Sequence, residues 1–253
     1  MPTSCDQSWI ENFTVRSFEI DPFLRVTPLT ICNYLQEAAS NQARSLGCAV
    51  DQIVPRGLTW VISRIHLRMD RYPRWREQIK VETWPSAVQG RFALRDFVLS
   101  DGKGNRLGVA TSSWLVIDIE KRRPVVVPEI MALLPTRETR ALDDKFPKLP
   151  EPESSDFAKE YSVRLSDLDP NMHVNNVKYV EWGLETIPTR FWRRSHLADI
   201  EISFKAESLY GDEVLSVSER VEAGDTDIFR HSVRRMADGA ELARMRTTWT
   251  SAE

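Results

Sequence analysis

The sequence predicts an α+β chain made of two copies of one plan, each a long helix followed by an antiparallel sheet of about five strands. Three observations carry this. Apolar residues recur at helical spacing twice, after Thr27 and after Asn175, and strand-like segments follow each helix. A proline-rich, charged run, "PTRETRALDDKFPKLPEPESS", lies between the two halves. The halves also match in places. "DGKGNRLGVATSSW", ending at Trp114, sits against "DGAELARMRTTW", ending at Trp249, and "RYPRWREQIKV" from Arg71 sits against "AESLYGDEVLS" from Ala206, both 135 positions apart.

In the first half, Thr27 is placed to cap a helix and Pro28 suits its first turn, where a missing N–H costs nothing. Ile31, Tyr34, Leu35, Ala38, Ala39 and Leu46 follow at helical spacing, and Gly47 can end the helix. "LTWVISRIHLRMD" and "QIKVETW" read as strands, the second alternating Ile79, Val81 and Thr83 against charged neighbours. "RFALRDFVLSDGKGNRLGVATSSWLVIDI" reads as two strands joined at Asp101-Gly102.

The second half repeats the order. "YSVRLSDLD" leads into a helix through "NNVKYVEWGLETIP", with Val177, Val180, Leu184 and Ile187 on one face and Pro188 as the stop. "ADIEISFKAESLYGDEVLSVSERV" supplies two strands, and "DIFRHSVRRMADGAELARMRTTWT" two more around Asp238-Gly239. A sheet wrapped round one long helix is the hotdog plan, and two in tandem make a double hotdog. The expected boundaries are residues 1–134 for the first unit, 135–156 for a linker and 157–253 for the second.

Composition narrows the class of function. Of 253 residues, 34 are basic and 37 acidic, a formal net charge of −3, which argues against a protein built to wrap nucleic acid. Cys5, Cys32 and Cys48 are too few for a disulfide scaffold, and no Cys/His spacing suggests a metal site. The N-terminal stretch "MPTSCDQSWIENF" lacks the pattern of a secretory signal, and apolar runs such as "PVVVPEIMALLP" are too broken to span a membrane. A cytoplasmic protein without a membrane partner is the expectation.

The stretch "SDLDPNMHVNNVKYVEW" holds the candidate chemistry. Asp and Asn before a helix are ordinary caps, and a single His there is more often structural than catalytic. Together, however, Asp169, Asn171 and His173 stand at alternate positions just before a helix starts. In an extended segment that spacing puts all three on one face. The helix start, at Asn175 and Asn176, offers free amides and a dipole that favour developing negative charge, a place to stabilise an oxyanion.

"DLDPNMHVNNVKYVEW" followed by "SFKAESLYGDEVL" resembles the acyl-acyl carrier protein thioesterases of plant and bacterial fatty-acid pathways. "LTICNYLQEAASNQARSLG", "LTWVISRIHLRMDRYPRWREQIKVETW" and "SSWLVID" resemble the N-terminal half of the same family, so the likeness runs from about Phe13 to Trp249. It implies hydrolysis of the thioester between a fatty acyl chain and acyl carrier protein, without a cofactor, with Asp169, Asn171 and His173 catalytic. The family's Glu-Cys pair falls on Glu207-Ser208. Glu207 matches. Ser208 stands where the plant enzymes have cysteine, so a cysteine nucleophile from that motif is unavailable. A water mechanism fits instead, with Glu207 or Asp169 activating or orienting the water, Asn171 positioning that water or the carboxylate, and His173 hydrogen-bonding the network and supplying a proton to the leaving thiolate. Ser208 as a covalent nucleophile is a weaker alternative, since it would need His173 within hydrogen-bond reach. The bacterial form is favoured, because no transit peptide precedes the first unit.

The first half lacks this set. It has "DPFLRVTPLT" before its helix, with Asp21 expected as a turn residue, and by resemblance it houses the acyl chain. Trp60, Ile62 and Met69 could line such a tunnel or be ordinary core. His66, His196 and His231 show no metal spacing and are expected to be structural or exposed. The basic run "RFWRR", with Arg190, Arg193 and Arg194, is expected as ordinary surface or as a dock for the acidic carrier protein. "KRR" at residues 121–123 is a weaker version of the same. An acyl-CoA thioesterase on the same scaffold and a silent acyl-binding hotdog are the alternatives. Either a monomer or a homodimer is workable.

Overall fold

A computed structural model describes residues 8–222 and 226–251. Cys5, the first residues of the N-terminal stretch and the last two residues of the second unit lie outside the described residues. The chain forms two compact units, residues 1–145 and 146–253.

The first unit contains strands β1 (Trp9–Thr14), β2 (Leu58–Met69), β3 (Gln78–Gln89), β4 (Phe92–Asp101), β5 (Arg106–Asp118) and the short β6 (Arg123–Val125), with helices α1 (Pro28–Ser45), α2 (Val50–Ile53) and α3 (Pro128–Met131). Its sheet runs β1-β3-β4-β5-β2, every pair antiparallel, with β6 beside β5. The second unit contains β7 (Phe157–Ser162), α4 (Asn176–Leu184), α5 (Thr189–Arg194), β8 (Ser195–Phe204), β9 (Glu213–Glu222), β10 (Thr226–Arg235) and β11 (Glu241–Ser251). Its sheet runs β7-β9-β10-β11-β8, again antiparallel. The two orders are the same permutation, so the duplication read from the sequence is a duplication of topology. Each unit is a hotdog.

α1 begins as its residues require. Thr27 Oγ1 accepts from the Thr30 N–H at 3.1 Å and Pro28 opens the helix. Its buried stripe includes Ile31, Leu35, Ala38 and Ala39 and packs on β1 and β3. Burial contributes about 2 kcal/mol for each large aliphatic side chain. α4 packs Val177, Val180 and Leu184 toward β9, β10 and β11. The apolar stripe predicted helix as far as Ile187. The helix stops at Leu184, where Glu185 is its C-cap, and Thr186 Oγ1 donates to the Gly183 carbonyl at 2.6 Å. After Pro188 the chain makes the extra turn α5, so the "RFWRR" run is helical and its Phe191 is buried.

The two cores differ at matching register positions, among them one on β4 and β10. On β4, Arg95 lies opposite Pro85, its guanidinium buried and bonded, among the described residues, to the Gln42 amide oxygen and to Thr83 Oγ1 at 3.2 Å. Burial without a carboxylate partner pushes it down to about 10. On β10 the corresponding residue, opposite Arg220, is Phe229, fully buried against Phe191.

The run expected as a linker makes contacts with the strands of the units. Arg137 donates to Glu82 at 3.1 Å and stacks on Trp84, and Arg140 reaches buried Asp96 at 2.8 Å. Farther on, the Leu149 carbonyl accepts from Arg244 at 3.0 Å, and Arg220 N–H donates to Asp156 at 2.9 Å. Prolines keep this run out of regular structure, while its charged groups bind to the strands.

Candidate active site

The candidate site lies in the second unit and starts from a carboxylate that closes a loop. Asp169 Oδ1 accepts from the Asn171 N–H at 2.8 Å and the His173 N–H at 3.3 Å, and the Asp169 N–H donates to the His173 carbonyl at 2.7 Å. Met172 sits at φ +63°, a left-handed conformation that costs a side-chain-bearing residue about 1–3 kcal/mol and that these bonds impose. The segment is therefore a tight turn. Expectation and structure part here: the alternate spacing of Asp169, Asn171 and His173 does not line one face of an extended strand. Asx chemistry folds the segment back on itself.

The loop is tied at both ends. The Val174 N–H donates to the Ser208 carbonyl at 3.0 Å, and the Asn175 N–H to the Asp167 carbonyl at 2.9 Å. Asp167 is buried and holds Arg164 at 3.1 Å and Lys178 at 3.4 Å. Burial disfavours its charge, but the Arg164 and Lys178 cations outweigh that and hold its carboxyl below the usual range. Asn175 is the N-cap of α4, its Oδ1 accepting from the Val177 N–H at 3.0 Å. Asn176 is the first helical residue, and its N–H has no acceptor among the described residues. A free amide at the positive end of a helix suits an oxyanion.

The tie between Val174 and Ser208 brings the segment after β8 against the loop. His173 Nε2 then lies 3.3 Å from Glu207 Oε2, with both side chains about 40% exposed. An imidazole and a carboxylate in contact and open to solvent can pass a proton between a water and a leaving group. Of the two amides expected at the helix start, that of Asn175 is taken by Asp167 and that of Asn176 is left. Asn171 is exposed, its Nδ2 at 3.5 Å from Asp169 Oδ2. Ser208 is fully buried, and its Oγ donates to Asp212 Oδ2 at 2.7 Å. Its hydroxyl faces a structural carboxylate, which speaks for an anchoring role and against attack on a substrate.

Arg190, Arg193 and Arg194 lie on α5, beyond the far end of α4 from the loop. A nine-residue helix spans about 13 Å. Arg190 and Arg194 stack on Phe191 at 5.0 and 4.8 Å, Arg194 also binds buried Asp227 at 3.0 Å, and Arg193 is exposed. Sequence reasoning missed two residues of the site region, Asp212 and Arg235. An Asp five positions after Glu207 was a signal of sorts. Arg235, on another strand, had none.

Other residues singled out in the sequence have the following surroundings. His66 Nδ1 meets Asp144 at 2.8 Å, and His196 Nε2 meets Thr250 Oγ1 at 3.2 Å. His231 is fully buried on Thr247, and burial pushes it down to about 3. Ile62 and Met69 are buried, and Trp60 donates to the Cys48 carbonyl at 2.8 Å beside a core cluster that includes Ile53, Ala93 and Val116. Cys32 and Cys48 are free and buried. No helix among the described residues is long and apolar enough to cross a membrane.

Comparison with known proteins gives a consistent result. Residues 6–134 match the family model of the acyl-ACP thioesterase N-terminal domain, and residues 150–251 match that of the C-terminal domain. The chain is 30% identical over 253 residues to the chloroplastic dodecanoyl-[acyl-carrier-protein] hydrolase of Cinnamomum camphora, covering 94% of this chain and 66% of that protein. It therefore spans just under two thirds of that relative's length. Among solved structures it resembles an acyl-ACP thioesterase from Bacteroides thetaiotaomicron at 25% identity and TM-score 0.86, covering 96% of this chain and 98% of that one. It also resembles the 12:0-ACP thioesterase of Umbellularia californica at 28% identity and TM-score 0.88, covering 97% and 95%. With both halves matched and the double-hotdog fold in place, the chain belongs to the acyl-ACP thioesterase family.

Proposed function

We propose that the protein hydrolyses the thioester of fatty acyl-acyl carrier protein, releasing free fatty acid, by a water mechanism centred on Glu207 and His173. The observation that carries this is the 3.3 Å contact between His173 Nε2 and Glu207 Oε2. It joins two segments far apart in sequence, at a helix start with a free amide.

Glu207 takes a proton from a water, whose oxygen attacks the thioester carbonyl carbon. The Asn176 N–H and the α4 dipole hold the oxyanion as it forms. The C–S bond then breaks. The proton taken from water passes through the Glu207–His173 pair to the departing sulfur, so thiol and acid leave in balance. Asn171, exposed on the same turn two positions before His173, is assigned to orienting the water. Asp169, its acceptor Oδ1 occupied by backbone amides, holds the loop in shape. Of the two carboxylates considered as base, Glu207 is the one in contact with the imidazole.

Steady-state assays on C8 to C18 acyl-acyl carrier proteins, with matched acyl-CoAs alongside, test the reading. Hydrolysis favouring the carrier-protein form supports it. Turnover of acyl-CoA alone points to the rival enzyme, and acyl binding without turnover to a silent binder.

A further inference from the structure

Glu207 follows β8 on an irregular segment, a poor base for a group that has to meet an imidazole within a fraction of an ångström. Three hydrogen bonds from two residues, Asp212 and Arg235, hold that segment. Asp212 Oδ2 accepts from Ser208 Oγ at 2.7 Å and from the Leu209 N–H at 2.9 Å. Arg235, at the end of β10, donates from Nη1 to the Glu207 carbonyl at 3.2 Å and lies 3.6 Å from Asp212 Oδ2. Arg235 is itself anchored by two bonds to Asp238, at 3.1 and 2.8 Å. Burial works against the Asp212 charge. The Leu209 N–H, the Ser208 hydroxyl and Arg235 overcome it, and the carboxyl stays below its usual range, ionised at neutral pH.

The first unit shows that this is more than a feature of the fold. Its corresponding turn has the same backbone ties: Val26 N–H to the Pro73 carbonyl at 2.9 Å, Val15 N–H to the Glu77 carbonyl at 3.0 Å, and Arg76 N–H to the Val15 carbonyl at 3.1 Å. The second unit repeats them as Val174 to Ser208, Val163 to Asp212 and Gly211 to Val163. Yet the first unit has Tyr72 and Pro73 where Glu207 and Ser208 stand, and its Glu77, at the place of Asp212, turns away to Arg71 at 2.9 Å. The turn folds without the clamp. The clamp occurs where the glutamate does.

We infer that Asp212 and Arg235 are positioning residues that hold the Glu207 carboxylate against His173, an inference that rests on the hydrolase reading above. Neither touches substrate; they act through the main chain at Glu207 and the hydroxyl of Ser208. A displacement of about 1 Å at a reacting group can cost up to about 100-fold in rate. Arg235→Met should therefore lower kcat about 10- to 100-fold with KM within about twofold, and Arg235→Lys should restore part of it. Asp212→Asn should behave alike where it folds, and Arg235→Met carries the test where it does not. In a Glu207→Gln background, Arg235→Met should cost nothing further, because its effect runs through the missing carboxylate.

A second readout needs no turnover. The imidazole ¹⁵N resonances of His173 in Arg235→Met should move toward those of Glu207→Gln. Unmoved resonances, unchanged kcat with a lowered melting temperature, or losses that multiply in the double variant would each overturn the clamp. Wild-type protein that hydrolyses no thioester, while the resonances still shift, would sink the hydrolase reading and leave the clamp standing.

Discussion

Two loops in this molecule share one backbone and differ in what they hold out to solvent. In the first unit Asp21 accepts from the N–H groups of Phe23 and Arg25 at 2.8 and 2.9 Å, and its own N–H meets the Arg25 carbonyl at 2.7 Å. In the second unit Asp169 does the same for Asn171 and His173. Leu24 and Met172 both sit at φ +63°. Thr27 and Asn175 both cap the helix that follows. The aspartate is therefore the mark of the loop, and the proposed chemistry rests on what replaces Phe23, Arg25 and Tyr72: Asn171, His173 and Glu207. On the proposed mechanism Asp169 builds the loop, while Asn171 and His173 are the side chains it presents.

The largest effects should come from the residues that differ. His173→Ala and Glu207→Gln should each lower kcat by about 10²–10⁴-fold while leaving thermal unfolding nearly unchanged. Arg25→Ala, the same position in the first unit, should leave turnover within about twofold. Comparable losses from both would break the distinction between the loops.

Next come the aspartates. Asp21→Ala and Asp169→Ala each strand backbone donors and should each cost about 1–3 kcal/mol in urea unfolding. Only Asp169→Ala should also reduce kcat, because it releases Asn171 and His173. An Asp169→Ala variant that loses activity with no loss of stability would return that carboxylate to the chemistry.

The cores supply a smaller contrast. Opposite Ser218 the second unit has His231, and opposite Thr83 the first has Phe97. Folding keeps His231 neutral down to about pH 3, whereas the unfolded chain protonates it near pH 6.5. The native state thus binds fewer protons below pH 6.5, so stability is full above that value and declines as pH falls toward 3. His231→Phe should flatten the fall in urea midpoint between pH 6.5 and 5. An unchanged slope would mean that His231 is not buried neutral.

The smallest effect concerns docking. Arg194 is engaged by Asp227, so Arg190→Glu with Arg193→Glu is the cleaner probe. It should raise KM for the protein-bound substrate a few-fold and spare a small thioester. Equal effects on both substrates would remove α5 as a carrier-protein surface.

Much of the fold was legible because it rests on local signals. Thr27-Pro28 marked a helix start, Asp101-Gly102 and Asp238-Gly239 marked turns, and the repeat at Trp114 and Trp249 betrayed the duplication. The one-face reading of the loop before α4 does not hold, because spacing alone cannot see an aspartate bonding to its own downstream amides. The contacts of the linker run were not legible, because composition does not say that Arg137 and Arg140 have Glu82 and Asp96 to meet. Glu207 was reached through resemblance. Arg235 could not be reached at all, since its tie to the Glu207 carbonyl depends on the register that brings the end of β10 beside that segment.

The most direct test of the account is the rate of thiol release from fatty acyl-acyl carrier protein by the wild type, His173→Ala and Glu207→Gln, measured side by side. The account predicts turnover by the wild type and a loss of at least about 100-fold in both variants, with fold and acyl binding retained. Wild-type rates in either variant would contradict a mechanism built on the Glu207–His173 pair.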